Sequence, residues 1–318
     1  MRNTKQVTAA GAFIFDSKHR IFLAKFAKKF ERLWSIPGGK LDFGESPLEA
    51  VTREIKEETN IDLVDTEFFE CGSFVVGDTH VIYVDYLARS PDDAEIRIND
   101  EFSEWGFFEE KELDSIPIVP KTKSTALQAF RKLSQRRWVD TLARYHLGLI
   151  RKTVNIQGPV STWGAAFDWV RSQMLGFLKH AYEIEHVGST SLADLPAKPV
   201  LDILLIYEDW VQFSKEVAAL EQLGFKYRGD AVARIHGQEA DPDRHFFSFY
   251  NWEENIEYVH LHALKRGHPH IASQIGFRDR LRSDPKLRED YRLSKLALQF
   301  GGVSRHDYTR AKAAFFNQ

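Results

Sequence analysis

One cysteine, Cys71, stands in a chain of 318 residues, which excludes an intrachain disulfide and a cysteine-built zinc site and points to a reducing, cytoplasmic setting. Long apolar runs are missing as well. No stretch approaches the roughly 18 apolar residues a membrane helix needs, and the opening MRNTKQVTAAGAFIF meets Asp16, Lys18 and Arg20 too soon for a signal peptide. A membrane partner is therefore not expected. An excess of either charge is absent: 43 Lys and Arg against 46 Asp and Glu give a net charge of -3. General nucleic-acid binding is not expected from such a balance, and any polyanion site must be local. What is present is a 43% hydrophobic, 28% charged composition able to bury a core, over a length that suits two domains at about 150 residues each.

The pattern along the chain supports that division. VTAAGAFIF and RIFLAKF, separated by the polar DSKH, predict a β-hairpin from Val7 to Phe26. After the turn at Pro37, Gly38 and Gly39 the spacing becomes helical from Ser46 to Thr59, with Leu48, Val51 and Ile55 on one face. Ser46 suits the N-cap, Pro47 the first helical position and Glu49 a capping box, while Asn60 suits a left-handed residue after the last turn. Further strands are expected in SFVVGDTHVIYVDYLA, turning at Gly77 and Asp78, then in EIRI and in EWGFFE, followed by a helix from Thr122 to Leu133. The polar segment KLSQRRW, Lys132 to Trp138, reads as the connection, giving domains 1–136 and 137–318. The second domain predicts a helix at Trp163 to Leu178, a buried strand PVLDILLIY, a helix over VQFSKEVAALEQLGF, a strand YVHLHAL and a long helical tail from Ala272.

The chemistry of the first domain is concentrated in GKLDFGESPLEAVTREIKEETNI. On a helix, Glu54 and Glu58 lie one turn apart with Glu57 beside them, so three carboxylates share a patch about 5 to 6 Å across. Left alone they repel. A hard divalent ion such as Mg²⁺ takes oxygen ligands and offsets phosphate charge, so the patch suits metal-assisted phosphate chemistry. The Arg53 fork can hold Glu45 and fix the loop against the start of the helix. The alternative for a bare E-x-x-E-E is a solvated acidic helix face.

The full spacing is more specific. Gly39, five residues, Glu45, seven residues and then Arg53-Glu54-Ile55-Lys56-Glu57-Glu58-Thr59-Asn60-Ile61 closely resembles the Nudix box, G-x5-E-x7-R-E-U-x-E-E-x-G-U with U aliphatic. The departure is Asn60 in place of glycine, and Asn tolerates the left-handed conformation that position needs. Over about residues 5 to 135 the resemblance implies an α/β/α sandwich with a mixed sheet that hydrolyses a nucleoside diphosphate linked to another moiety. It implies Mg²⁺, or Mn²⁺ in its place, held by Glu54, Glu57 and Glu58, with Glu57, Glu54 and Arg53 in the catalytic set and Gly39 and Glu45 in support. The general base comes from the box or from a later loop, where Glu101 is the candidate and Glu104 its rival. A nucleotide or nucleotide derivative is the implied partner, and a homodimer is compatible with the resemblance. Phe26, Phe30, Trp34 and Phe43 are candidates for an aromatic wall, and Lys25, Lys28, Lys29 and Arg32 for a phosphate-contacting loop, although aromatic residues near strands are more often core and such a charge run is usually a solvated loop.

In the second half, Gly188 and Ser189 form a turn after a short strand and Asp202 sits in the next one, an arrangement that can lay backbone N–H groups on phosphate beside a metal-binding acid. EHVGSTS, AKPVLDI, YVHLHAL, FRDRLRSDPKLREDYRLSKLAL and DYTRAKAAF together resemble the GrpB family, a nucleotidyltransferase-like α/β fold, across about Val154 to Phe316. The second acid of a nucleotidyltransferase D-x-D pair is absent, since Ile203 and Leu204 follow Asp202. His260 and His262, on one face of a later strand, stand where a carboxylate is expected. The candidate ligand site is Gly188, Ser189, Lys198, Asp202, Arg244, His260 and His262, with Lys265, His245, Phe246 and Phe247 nearby. Two roles remain open for this domain: a nucleotide-binding regulatory or scaffolding module, or an active nucleotidyltransferase that makes the chain bifunctional.

Overall fold

Alternation along β1 (Lys5–Phe15) organises the first unit of the molecule, because its even-numbered apolar residues face one helix and its odd-numbered ones another. The structure is a computed structural model that describes residues 5–28, 32–229 and 240–300. The chain folds as two compact units, Met1–Leu133 and Ser134–Gln318.

In the first unit β1 turns into β2 (Ile21–Phe26), and the turn is closed by Asp16, whose Oδ1 accepts the N–H groups of Lys18 at 3.0 Å and Arg20 at 2.8 Å. The remaining strands are β3 (Trp34–Ser35), β4 (Gly38–Lys40), β5 (Val64–Val76), β6 (Thr79–Arg89) and β7 (Phe102–Phe108). They form a seven-stranded sheet of order β3-β2-β1-β6-β5, with β4 joined to β1 and β7 to β2. The pair β1 and β6 is parallel and the other pairs are antiparallel, so the sheet is mixed. Helix α1 (Pro47–Thr59) packs Ala50, Val51 and Ile55 on Ala10, Ala12 and Ile14. Helix α2 (Pro120–Arg144) packs Ala126, Ala129 and Phe130 on the other face with Phe13 and Phe15. The expected α/β/α sandwich is thus present.

Two expectations need correction here. EIRI is not a strand, because the segment is tied to the end of α1: within it Arg97 N–H donates to the Thr59 carbonyl at 2.9 Å, and just after it Asn99 N–H donates to the Glu58 carbonyl at 3.0 Å. The segment Lys132 to Trp138 is helical, as part of α2, and the cut between the units falls inside that helix.

The second unit is also a mixed α/β arrangement. Its strands are β8 (Leu149–Ile150), β9 (Glu183–Val187), β10 (Leu201–Tyr207), β11 (Phe225–Tyr227), β12 (Arg244–Asn251) and β13 (Ile256–Lys265), in the order β11-β12-β13-β10-β9 with β8 on β13. Only β10 and β13 run parallel among these pairs. One face carries the larger core, where Leu201, Ile203, Leu205, Val259 and Leu261 meet Trp163, Val170 and Met174 of α3 (Trp163–Phe177). The expected helix after β10 is broken into α4 (Trp210–Phe213), a 3-10 turn and α5 (Val217–Gln222). On the opposite face Leu204 and Leu264 meet Ile271 and Ile275 of α6 (Pro269–Ser283). The tail is two helices, since Pro285 cannot continue the first and instead opens α7 (Pro285–Phe300). Among the described residues no helix is long and apolar enough to cross a membrane.

Candidate functional site

Local sequence chemistry fixes α1 at both ends. Ser46 Oγ accepts Glu49 N–H at 3.3 Å while Glu49 Oε2 accepts Ser46 N–H at 2.8 Å, a complete capping box with Pro47 behind it. At the other end Asn60 takes the left-handed conformation with φ 61° and its N–H bonds to the Lys56 carbonyl, so Asn serves where glycine is usual.

On this helix Arg53 gathers the acidic residues. It donates to Glu45 through Nε at 2.9 Å and Nη2 at 2.8 Å, to Glu54 through Nη1 at 2.9 Å, and to the Lys40 carbonyl at 3.2 Å. Glu57 lies 3.5 Å from Nη1. One guanidinium therefore joins the loop before α1 to two carboxylates on it, by the two-pronged contact that Arg makes and Lys cannot. Donation from Arg53, helped by the Asp42 N–H, holds the Glu45 carboxyl down at about 2. The Glu45 and Glu54 hydrogen bonds raise Arg53 further above its already high value.

Backbone completes the cluster. Glu58 is 5% exposed and accepts Gly38 N–H at 2.8 Å. A Cβ on Gly39 would lie 2.2 to 2.4 Å from the Glu54 carboxyl atoms, so only glycine lets β4 approach that carboxylate. Gly39, Glu45, Arg53, Glu54 and Glu57 are thereby brought together, with Glu58 of α1 bonded to β4 beside them. Glu101 is in the turn before β7: its N–H is bound by Asn99 Oδ1 at 3.0 Å, and Asn99 is itself strapped to the Glu58 carbonyl. Its rival Glu104 pairs with Lys25 at 2.7 Å. Trp34 is core, 8% exposed and edge-on to Phe108 at 4.9 Å, whereas Phe43 is fully exposed. Phe30 and Lys29 lie outside the described residues.

In the second unit Gly188 has φ +70°, and a Cβ there would sit 2.6 Å from Asp202 Oδ2. Asp202 faces His260 across β10 and β13, with His260 Nδ1 3.3 Å from Asp202 Oδ1 and Nε2 3.6 Å from Glu257 Oε2. Burial opposes a charge on His260, but the Asp202 and Glu257 carboxylates outweigh it and raise the imidazole to about 9. His262 lies on the same face, ring to ring with Phe246 at 5.1 Å. Burial drives it down to about 3, and its Nδ1 is buried with no hydrogen-bond partner among the described residues. Arg244 is one row further along, level with Leu264, where its charge helps keep His262 neutral.

The other members of the expected set are placed as follows. Ser189 is 7% exposed and shares a hydrogen bond with Tyr291 of α7 at 3.1 Å. Lys198 is in the loop before β10, where its carbonyl accepts Val200 N–H. His245 faces away from Asp202, stacked on Trp210 with centroids 3.5 Å apart, and Phe247 is core. DYTRAKAAF lies outside the described residues. Glu257 was not anticipated: a bulge between Phe249 and Tyr250 turns it toward His260, and no signal in the sequence marks a bulge of that kind.

Among the described residues no group of three His, Cys, Asp or Glu side chains stands assembled as a metal cage. Glu54 and Glu57 are turned to Arg53, and Glu58 to Gly38.

Comparison with known proteins agrees with both halves. Residues 5–130 match the NUDIX domain and residues 153–318 the GrpB protein family. The chain belongs to the GrpB family and carries a Nudix domain ahead of that region, a domain that supports hydrolysis of nucleoside diphosphate compounds, in a family that generally uses a divalent metal. Over 83 residues it is 30% identical to an 8-oxo-dGTP diphosphatase of Proteus vulgaris, covering 26% of this chain and 74% of that one. A UPF0157 protein of Halalkalibacterium halodurans is 29% identical over 49% of this chain and 75% of its own. The crystal structure of the conserved protein GrpB from Enterococcus faecalis is similar at 22% identity and a TM-score of 0.43, covering 51% of this chain and 98% of that one.

Proposed function

We propose that the first unit is a Mg²⁺-dependent hydrolase, served also by Mn²⁺, that cleaves the phosphoanhydride bond of a nucleoside diphosphate linked to another moiety. The observation that carries this reading is the Arg53 clamp, a single guanidinium that ties Glu45 to Glu54 and Glu57 beside the bare backbone of Gly39. The donors gathered there are carboxylate oxygens, the set that a hard divalent ion takes, and Glu54, Glu57 and Glu58 would hold it. When bound, the cation would supply positive charge that offsets the charge developing on the phosphate.

The chain's own groups do the rest. Arg53 and Glu45 position the helix carboxylates, and Gly39 keeps the approach to Glu54 free of a side chain. The proton of the attacking water goes to Glu101 or to a helix glutamate, and Glu101→Gln against Glu57→Gln separates the two. The second unit is read as a ligand-binding module around Gly188, Asp202 and His260, with Ser189, Lys198, Arg244 and His262 in its walls. Ile203 and Leu204 after Asp202 favour binding over nucleotidyl transfer. The functional division is placed at 1–136 and 137–318, and the setting is cytoplasmic.

The test is a panel of nucleoside triphosphates, nucleotide sugars, dinucleotides and ADP-ribose with Mg²⁺ or Mn²⁺, with products separated by chromatography for wild type and Glu57→Gln. Cleavage that disappears in the variant supports the reading. Cleavage that survives at the same rate removes the helix carboxylates from it.

A further inference from the structure

The segment between β6 and β7 is bonded to the end of α1 at every second residue. Asn60 Nδ2 donates to the Glu95 carbonyl at 2.8 Å, Arg97 N–H to the Thr59 carbonyl at 2.9 Å and Asn99 N–H to the Glu58 carbonyl at 3.0 Å. The residues between them, Ile96 and Ile98, pack on the core that holds Ile55, Ile61 and Phe102. Residues 95 to 99 are therefore tied to the last turn of α1 by polar bonds and to the core beneath it by apolar packing.

Glu101 inherits this anchoring. Its N–H is held by Asn99 Oδ1 at 3.0 Å, and its carbonyl accepts Ala27 N–H at 2.8 Å, just beyond β2. Asn99 joins two groups of the site, because it bonds the backbone of Glu101 and also the backbone of Glu58, whose side chain holds Gly38 N–H. Asn60 stands where the Nudix box has glycine. Its φ of 61° meets the backbone demand at that position, and glycine would meet it without a steric cost. What glycine lacks is the amide that reaches Glu95.

We infer that Asn60 and Asn99 are positioning residues for the hydrolase. Asn60 fastens the segment after β6 to the helix that carries Glu54, Glu57 and Glu58, and Asn99 passes that anchor to Glu101, so the loop carboxylate keeps one place relative to the helix carboxylates. A misplacement of about 1 Å can cost about a hundredfold in rate, so bonds in series that fix the loop bear on turnover. The inference rests on the reading of the first unit as a hydrolase with Glu101 as its base.

The test uses the 318-residue chain. Asn60→Gly keeps the left-handed backbone and removes the bond to Glu95, so the fold is expected to survive. Amide hydrogen exchange followed by NMR is expected to quicken by about fivefold or more at Arg97 and Asn99 and to stay unchanged at Ala50 in α1. With the nucleoside triphosphate, nucleotide sugar, dinucleotide or ADP-ribose that wild type cleaves, kcat is expected to fall by about tenfold in Asn60→Gly and in Asn99→Ala while KM holds. Asn99→Asp, which keeps an oxygen for Glu101 N–H, is expected to retain most of the rate, and Asn60→Gly to add no further loss in a Glu101→Gln background. Exchange that does not move in Asn60→Gly would overturn the inference. So would quickened exchange with a wild-type kcat in both Asn60→Gly and Asn99→Ala. Failure of the underlying reading looks different: no cleavage by wild type, or full activity in Glu101→Gln, removes the positioning role together with the base while exchange in Asn60→Gly still quickens.

Discussion

Each unit presses a glycine against a carboxylate, and the two differ in the charge that holds that carboxylate. In the first, Gly39 lies on Glu54 and the counter-charge is Arg53. In the second, Gly188 lies on Asp202 and the counter-charge is His260. A guanidinium keeps its proton at any pH a protein survives, whereas an imidazole gives its proton up within reach of ordinary buffers. The first cluster is therefore wired for constant charge, and Glu45, held at about 2, keeps it so well into acid. The second can change its charge state.

The comparison breaks most severely if the first cluster proves not to be catalytic. Glu58→Gln should lower kcat by about a thousandfold with little change in shape, since the amide still accepts Gly38 N–H but no longer contributes a charge. Steady-state kinetics on the cleaved substrate, with circular dichroism as a folding control, checks it, and an unaltered kcat would detach the cluster from the chemistry. The two glycines offer the next contrast. Gly188→Ala should destabilise by about 2 to 4 kcal/mol, because it adds a positive φ to a collision with Asp202. Gly39→Ala, without that φ, should cost about 1 to 3 kcal/mol and should also depress activity by displacing Glu54. Denaturant melts rank the pair, and the reverse order would contradict the geometry.

Smaller effects sharpen the contrast in counter-charge. Arg53→Lys keeps the charge but loses the fork, and about a tenfold fall in kcat is expected. The pH dependence has a definite sign. The folded pKa of His260 is raised to about 9 from 6.5, so its protonated form stabilises the fold fully below about 6.5 and that contribution fades as pH climbs through about 9. Imidazole titration by NMR should find this midpoint in the wild type and a lower one in Asp202→Asn. An unmoved midpoint in that variant would mean that Asp202 does not set it.

Legibility from sequence followed distance along the chain. The caps of α1, the left-handed Asn60 and the pairing of Arg53 with Glu45 all lie within a few turns of one another, so spacing alone carried them. The same local logic failed at EIRI, whose β-branched pattern suits a strand but whose Arg97 N–H is claimed by the last carbonyl of α1. It failed again in the tail, where Pro285 begins a second helix within one periodic stretch. Partners far apart were beyond its reach. Nothing in Gly38 announces that its N–H meets Glu58, and nothing in Lys226 or Arg228 announces that both reach the Trp252 ring.

The turn at Gly188 and Ser189 carries a final implication about timing. Ser189 is fastened to Tyr291, 102 residues later, and the buried Lys295 donates to the Pro196 carbonyl, 99 residues back. Both fasteners stand in α7, after every described strand of the unit. A nascent chain that has already made β9 and β10 must hold this turn without these two fasteners until α7 has left the ribosome, so the turn beside Asp202 is anchored later than the strands that flank it. A chain stopped at residue 290 should keep its strands and lack a settled binding face.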